Sequence, residues 1–466
     1  IQILKMHIQQ VKIKNFRCFE DLTVNLNPDV NIFVGNNGSG KSAVLDGIAA
    51  AMFPYINGLQ RIAERRYQGY LNKKYQEPVQ ISQRDLPAKY SYREPINQAE
   101  FAVTTKDFPS WTIIYKKTAK NNDNRKLSVK TNKSFFSDPQ NNVEGSEQLY
   151  TDLESKFNKS KEEVLEISVF SYYKTNRNLT NISNVNPDLS GRYGSYNSSD
   201  RFDAFKNSFD AAANFSEFMT WFYDRDIQEL REVKKREDAK FEFSDLKQIQ
   251  KSIRTIIAPS ARVYFSDRPS AKLMVEWETE TGEKIELSLN QLSSGYRNML
   301  ALVMDFARRL AQANPQMENP LEAEAVLMID ELDLHLHPTW QQKIIPDLRK
   351  VFPNTQIIAT THSPEIVTTV QRHQVKILEN YQIKECPTPT RGRSSADMVL
   401  DVLGLNNLRP DTKESKTLAA LFDAIDNDNL EEAKKLREEL QDWEMFDAEI
   451  TKADMRIQRL KRKLSA

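Results

Sequence analysis

Eight residues constrain this chain more than any other stretch: Gly35-Asn36-Asn37-Gly38-Ser39-Gly40-Lys41-Ser42. They follow an apolar run, Val30 to Val34, and precede a helical pattern, Ala43 to Met52. A strand that enters a glycine-rich turn and leaves as a helix makes a phosphate site. Glycines let backbone N–H groups close around phosphate oxygens, and the helix presents its N-terminus to the same anion. Asn36, Asn37, Gly38, Ser39 and Gly40 are the loop positions that meet the phosphates. Lys41 reaches the terminal ones and Ser42 offers its hydroxyl to Mg²⁺.

The flanking pattern says what sheet this loop stands on. Between His7 and Leu26 apolar and polar residues alternate, predicting two antiparallel strands joined at Asn15 to Phe19. Strands are expected at Ala99 to Thr104 and Trp111 to Lys117, and a buried one at Leu165 to Tyr172. Asn176 to Asp200 reads as a loop, and Phe202 to Ala258 as a charged helical arm or hairpin. After strands at Val263 to Trp277 and Lys284 to Leu289, a helix closes Asn290 to Ala313. Strand (Ala325 to Ile329), helix (Trp340 to Val351) and strand (Gln356 to Thr360) then argue for a parallel sheet flanked by helices. The remainder, from Ala396 on, is helical in pattern, acidic from Asp423 to Glu449 and basic from Lys452 to Lys463.

Three further segments carry chemistry. Ala325 to Ile329 ends in Asp330 and Glu331, so a buried strand delivers Asp330 beside the phosphates to hold Mg²⁺. Glu331 points elsewhere and can deprotonate an attacking water. Ser293-Ser294-Gly295 at a helix start offers N–H groups and hydroxyls to an anion, although taken alone the motif reads more readily as a plain helix cap. Thr360-Thr361-His362-Ser363-Pro364 places an imidazole at a strand end of the same sheet, where such folds bind ligands.

In this order the segments resemble the ABC-type ATPase heads of the SMC and RecF class. By that resemblance Gly35 to Ser42 is Walker A, Leu292 to Arg297 a degenerate signature motif and Ala325 to Glu331 Walker B. Leu332-Asp333 is then the D-loop and His362 the switch histidine. Ile13 to Arg17 is similar to the first strands of that class, where a basic residue at Arg17 approaches the nucleotide. The signature departs from the usual pattern, being Ser-Ser-Gly-Tyr. The Q-loop glutamine has two weak candidates, Gln80 and Gln83. The interval from Ser42 to Asp330 lacks the heptads of a long coiled coil. Glu331 to Pro338, followed by Gln341 and Gln342, narrows the resemblance to the AAA-15/21-like ATPases of anti-phage defence, closest to PtuA subunits of Septu systems.

That resemblance implies an α/β fold: an ABC-type P-loop NTPase head with a mixed sheet flanked by helices, an antiparallel N-terminal sheet, a short helical insertion and a helical C-terminal region. It implies an ATPase lobe at 6–200, a helical arm at 201–260, a second lobe at 261–385 and a partner-binding region at 386–466. ATP and Mg²⁺ are the cofactors that the resemblance implies. Two chains sandwich ATP, Glu331 and His362 serve catalysis, and Ser294, Gly295 and Asp333 complete the ATP site. The implied partners are a second copy or a higher homo-oligomer, and an HNH nuclease of the PtuB kind. Two alternatives stay open: a scaffold that ATP holds together with little turnover, and a RecF-like DNA-repair head.

Other features exclude more than they assign. Lys plus Arg and Asp plus Glu both number 65, so no global charge draws nucleic acid. The basic surplus between Arg61 and Lys133 leaves DNA contact open. Cys18 and Cys386 form no metal or disulfide pattern, and no run spans a bilayer, which points to the cytoplasm. Ile1 to Lys5 precede Met6, which reads as a natural start, and no role is expected of them. His335 and His337 lack a third metal ligand. Asp426-Asn427-Asp428 lies between helical segments and not at a strand end, so no nuclease site of the chain's own is expected.

Overall fold

A computed structural model describes residues 2–4, 6–66, 98–116, 146–159, 165–175, 201–211, 215–266, 272–279, 281–444 and 446–465. They form two compact units, 1–404 and 405–466.

The larger unit is organised by a six-stranded sheet in the order β15-β14-β4-β13-β12-β8. Its members are β4 (Val30–Val34), β8 (Val169–Tyr173), β12 (Ala325–Ile329), β13 (Thr355–Thr360), β14 (Val375–Glu379) and β15 (Gln382–Glu385). All are parallel except β15. In β4, β8, β12 and β13 every residue is buried, as expected of parallel strands covered on both faces. The C-terminal ends of five parallel strands therefore share one edge.

A four-stranded antiparallel sheet, β3-β2-β5-β6, comprises β2 (Ile8–Phe16), β3 (Phe19–Asn25), β5 (Gln98–Thr105) and β6 (Trp111–Lys116). The alternation in β2 sends Val11 and Ile13 into the core. Helix α1 (Lys41–Arg66) runs from the phosphate loop beneath this sheet, with Ala49, Ala50, Ala51 and Met52 buried. A smaller sheet joins β9 (Arg262–Phe265), β10 (Leu273–Glu278) and β11 (Lys284–Ser288). The helices α2 (Ser146–Lys159), α3 (Phe215–Arg236) and α4 (Ser244–Ile256) complete this part, and α4 buries Leu246, Ile249, Ile253 and Ile256.

Helix α5 (Ser294–Ala313) is buried nearly all round from Met299 onward, including four polar side chains, Asp305, Arg308, Arg309 and Gln312. They satisfy one another. Asp305 accepts from Arg308 at 2.7 Å, from Arg309 at 2.8 Å and from the Tyr173 hydroxyl at 2.8 Å. Arg308 also donates to Gln312, and Arg309 to the carbonyls of Ala204 and Lys206. Helix α5 is thereby tied to the end of β8.

Three expectations need correction. The single strand from Leu165 to Tyr172 is two, β7 (Leu165–Ile167) and β8, because the chain changes sheets at Ser168. There the Ser168 hydroxyl accepts the Met6 N–H and its carbonyl accepts the Tyr55 hydroxyl. The helix from Trp340 to Val351 is likewise two, α6 (Pro338–Gln341) and α7 (Ile344–Val351), since Pro346 suits a first turn and not a helix interior. Finally, residues before Met6 take part in the fold: β1 (Gln2–Leu4) pairs in parallel with β7.

Two short helices, α8 (Pro364–Val367) and α9 (Ser395–Asp401), finish the larger unit. The smaller unit packs α10 (Lys413–Asp426), α11 (Leu430–Glu439) and α12 (Ala448–Ser465) around Leu418, Leu421, Ile450 and Ile457.

Candidate nucleotide site

The phosphate loop is closed before any ligand is considered. β4 ends at Val34 and α1 begins at Lys41. Between them Ser39 N–H donates to the Asn36 carbonyl at 3.1 Å, and Val44 N–H to the Gly40 carbonyl at 2.9 Å. Gly40 has φ +102°, and a Cβ there would lie 2.7 Å from the Phe19 ring and 2.9 Å from Cys18 Sγ. The β2–β3 turn thus packs against the loop, and only glycine fits. Asn36, Asn37 and Gly38 are exposed, while Ser39 Oγ is buried with no hydrogen-bond partner. Lys41 Nζ donates to the carbonyls of Gly35 at 2.8 Å and Asn36 at 3.0 Å. Burial lowers the Lys41 pKa, opposed by the charges of Asp330, Glu331 and Asp333. All three carboxylates thus lie within electrostatic reach of the ammonium.

β12 delivers the acidic pair at the same edge. Asp330 is 2% exposed; its N–H donates to the Tyr173 carbonyl at 2.9 Å. Its Oδ1 accepts from the Thr360 hydroxyl at 2.6 Å and its Oδ2 from Thr175 at 3.2 Å. At Glu331 the chain turns sharply, with φ +49°, a left-handed conformation that costs a residue with a Cβ about 1–2 kcal/mol. Two bonds hold the turn: Glu331 N–H to Thr360 Oγ1 at 2.7 Å and Leu332 N–H to the Thr360 carbonyl at 2.8 Å. This bend turns Glu331 away from the strand direction that Asp330 keeps.

His362 follows β13 and is exposed. Its backbone N–H donates to Asp333 Oδ1 at 3.1 Å, and the Thr361 hydroxyl donates to the same oxygen at 2.6 Å. Asp333 therefore fixes the segment that carries His362. Next to it, Ser363 caps α8 by accepting from Ile366 N–H.

The start of α5 lies against the segment after Asp333. A Cβ on Gly295 would sit 2.4 Å from the His335 carbonyl oxygen, so no side chain can separate the two backbones. The Tyr296 and Trp340 rings meet edge-on, 4.6 Å apart. Ser293 is the N-cap, accepting from Tyr296 N–H, and Ser294 is exposed. The cap reading thus falls on Ser293, and Ser294 stands exposed beside it.

Arg17, at φ +50° in the β2–β3 turn, donates to Asp46 of α1 at 2.6 Å. The other Asp46 oxygen takes the Tyr172 hydroxyl at 3.1 Å. Burial, followed by the charges of Asp46 and Asp330, holds that hydroxyl far above its ordinary pKa, so it acts as a donor. Asp46 lies one helical turn beyond Ser42, and sequence reading missed it, as it did Thr175. Thr360 stood inside a noticed motif, but its role depends on which strands are neighbours.

The other residues singled out in the sequence fall as follows. His337 caps α6, and no group of three or more potential metal ligands occurs among the described residues. Asp426 and Asp428 pair with Arg456 and Lys463, and Asn429 caps α11. Gln80, Gln83, most of the basic interval from Arg61 to Lys133, and 176–200 lie outside the described residues. Among the described residues no helix is long and apolar enough to cross a membrane.

The donor set fits a magnesium nucleotide. Ser42 carries a hydroxyl and Asp330 a carboxylate, oxygen donors of the kind that Mg²⁺ prefers. The orphaned Ser39 hydroxyl and the loop N–H groups supply donors for phosphate.

Comparison with known proteins gives the family. The family model described as an AAA ATPase domain, AAA_15, matches residues 6–367. The chain is 26% identical to the Retron Vc95 probable ATPase of Vibrio cholerae, over 93% of this chain and 86% of that protein. It is 25% identical to the Retron Ec83 probable ATPase of Escherichia coli, over 93% and 83%. To the Septu protein PtuA of Bacillus thuringiensis it is 30% identical, over 27% of this chain and 34% of that one. The family match takes in the phosphate loop, the start of α5, the acidic pair and His362. The chain belongs to the AAA_15 family of AAA ATPase domains.

Proposed function

We propose that this chain is the ATP-binding and ATP-hydrolysing subunit of an anti-phage defence complex. Two copies sandwich ATP, and the assembly regulates an associated HNH nuclease. One observation carries the reading of a shared site. Lys41, Asp330, Glu331 and Asp333 converge at one sheet edge, whereas Ser294 stands exposed at the start of α5. The retron and Septu relatives support the defence setting.

In this mechanism Lys41 leaves the Gly35 and Asn36 carbonyls for the β- and γ-phosphate oxygens. The loop N–H groups and the Ser39 hydroxyl bind the remaining oxygens. Ser42 and Asp330 would hold a magnesium ion, which would neutralise phosphate charge. Glu331 takes the proton from the attacking water as its oxygen bonds to the γ-phosphorus, and ADP leaves. His362 orients that water, held in place through Asp333. Ser294 and the N-terminus of α5 from the second copy close over the γ-phosphate. Hydrolysis removes the group that joins the two copies, and the dimer opens.

Complementation tests the shared site. Lys41→Ala and Ser294→Arg chains, each inactive alone, are mixed and ATPase activity is measured. Random pairing gives heterodimers with one intact site, so about a quarter of the parental rate returns. A mixture as inactive as its parts overturns the sandwich. The partner is tested separately by co-purification with the product of the adjacent gene. An HNH nuclease there supports the Septu-like assembly, and a reverse transcriptase points to the retron form.

A further inference from the structure

The two strands beside β12 each send a threonine to the same carboxylate. Thr360 is the last residue of β13, fully buried; Thr175 lies two residues past β8. Their hydroxyls meet different oxygens of Asp330, Oδ1 at 2.6 Å and Oδ2 at 3.2 Å. Bond directions follow from proton inventory. Thr360 Oγ1 accepts from Glu331 N–H at 2.7 Å, so its one proton is available to Asp330. Thr175 likewise donates its hydroxyl proton to Asp330 Oδ2. Asp330 is therefore gripped from both neighbours of β12, by Thr360 at the end of β13 and by Thr175 just past β8. The Thr360 bond reaches further, because the same hydroxyl steadies the left-handed turn at Glu331.

We propose that Thr175 and Thr360 are positioning residues that orient Asp330 toward a divalent cation, Thr360 also holding Glu331 in register with it. The inference rests on the assignment of Asp330 to magnesium made above. Groups that orient a metal ligand typically carry about 10- to 100-fold in metal affinity or activity. The two threonines differ in what they touch, so their variants should differ in kind. Loss of the Thr175 hydroxyl acts on the cation alone, whereas loss of the Thr360 hydroxyl acts on the cation and on the chemical step.

The experiment uses the full chain and a fluorescent ATP analogue, titrated in EDTA and at a series of magnesium concentrations. The readout is the factor by which magnesium tightens binding, and the concentration at which it does so. Thr175→Val should shift that concentration upward by at least about tenfold, and Thr175→Ser, which keeps the hydroxyl, should return it to the parental value. Thr360→Val should show the same shift together with a lower kcat at saturating magnesium than Thr175→Val. Should Thr360→Val fail to fold, the Thr175 pair decides the matter alone. Unchanged magnesium dependence in Thr175→Val overturns the inference. Asp330→Asn separates the two levels. If it too leaves magnesium dependence intact, the metal assignment has failed; if it alone alters it, only the role of the threonines has.

Discussion

Replacing Glu331 by Gln should lower steady-state ATP hydrolysis by about 10²–10⁴-fold, the usual contribution of a general base. The amide keeps the volume of the carboxylate but cannot take a proton from water. Its backbone bond to Thr360 is untouched, because it comes from the N–H and not from the side chain. ATP should therefore still bind, and an ATP-dependent dimer should accumulate in light scattering. Phosphate release at the parental rate would show that another group deprotonates the water. Glu331→Gly makes a useful companion. It removes the carboxylate and also relieves the left-handed backbone at φ +49°. It should be equally inactive yet more stable than Glu331→Gln by about 1 kcal/mol, which separates the strain of the turn from its chemistry.

The second large effect is on stability. Asp305→Ala should cost about 3–5 kcal/mol, because it leaves two buried guanidinium groups without their shared carboxylate. Arg309 is 3% exposed and Arg308 9%, so water cannot compensate. Urea denaturation of the parent and variant measures the difference, and a loss under 1 kcal/mol would contradict the network as described. The same residue sets a pH dependence. Burial pushes the Asp305 carboxyl up, but Arg309 and Arg308 outweigh it and hold the pKa at about 2, below the ordinary 3.8. The folded state thus favours the ionised form. Its stabilisation is complete above pH 3.8 and disappears as pH falls through about 2. Asp305→Ala should lack this acid-labile component. Since the Tyr173 hydroxyl donates to Asp305 and its carbonyl accepts from Asp330 N–H, the variant should also loosen Asp330.

The parts of the site that could be read from sequence are those whose chemistry is written in consecutive residues. The phosphate loop announces itself because one strand, its glycines, Lys41 and Ser42 are adjacent. Asp330 and Glu331 do so because they end an apolar run. What escaped is the chemistry made by strand order. Thr175 and Asp330 are 155 residues apart and Asp46 and Tyr172 are 126 apart, and no local periodicity states which strands will be neighbours. Helix α5 defeats pattern reading for another reason. Asp305, Arg308 and Arg309 look like a solvent face, yet mutual pairing lets all three be buried. The break at Ser168 was hidden because a continuous apolar run does not reveal that its two halves belong to different sheets.

The position of β4 in the sheet has a consequence for how the protein is made. Both of its neighbours, β13 and β14, come from the far end of the larger unit. The first of them is translated roughly 320 residues after Val34, which at 5–20 residues per second is about 15–60 s of synthesis. Until then the strand that carries the phosphate loop has no partner on either edge. A nascent chain in that interval exposes an apolar strand, Val-Asn-Ile-Phe-Val, of the kind that chaperones shield. Nucleotide binding is thus among the last properties the chain acquires, and an mRNA cut before residue 355 would yield a loop with nothing to stand on.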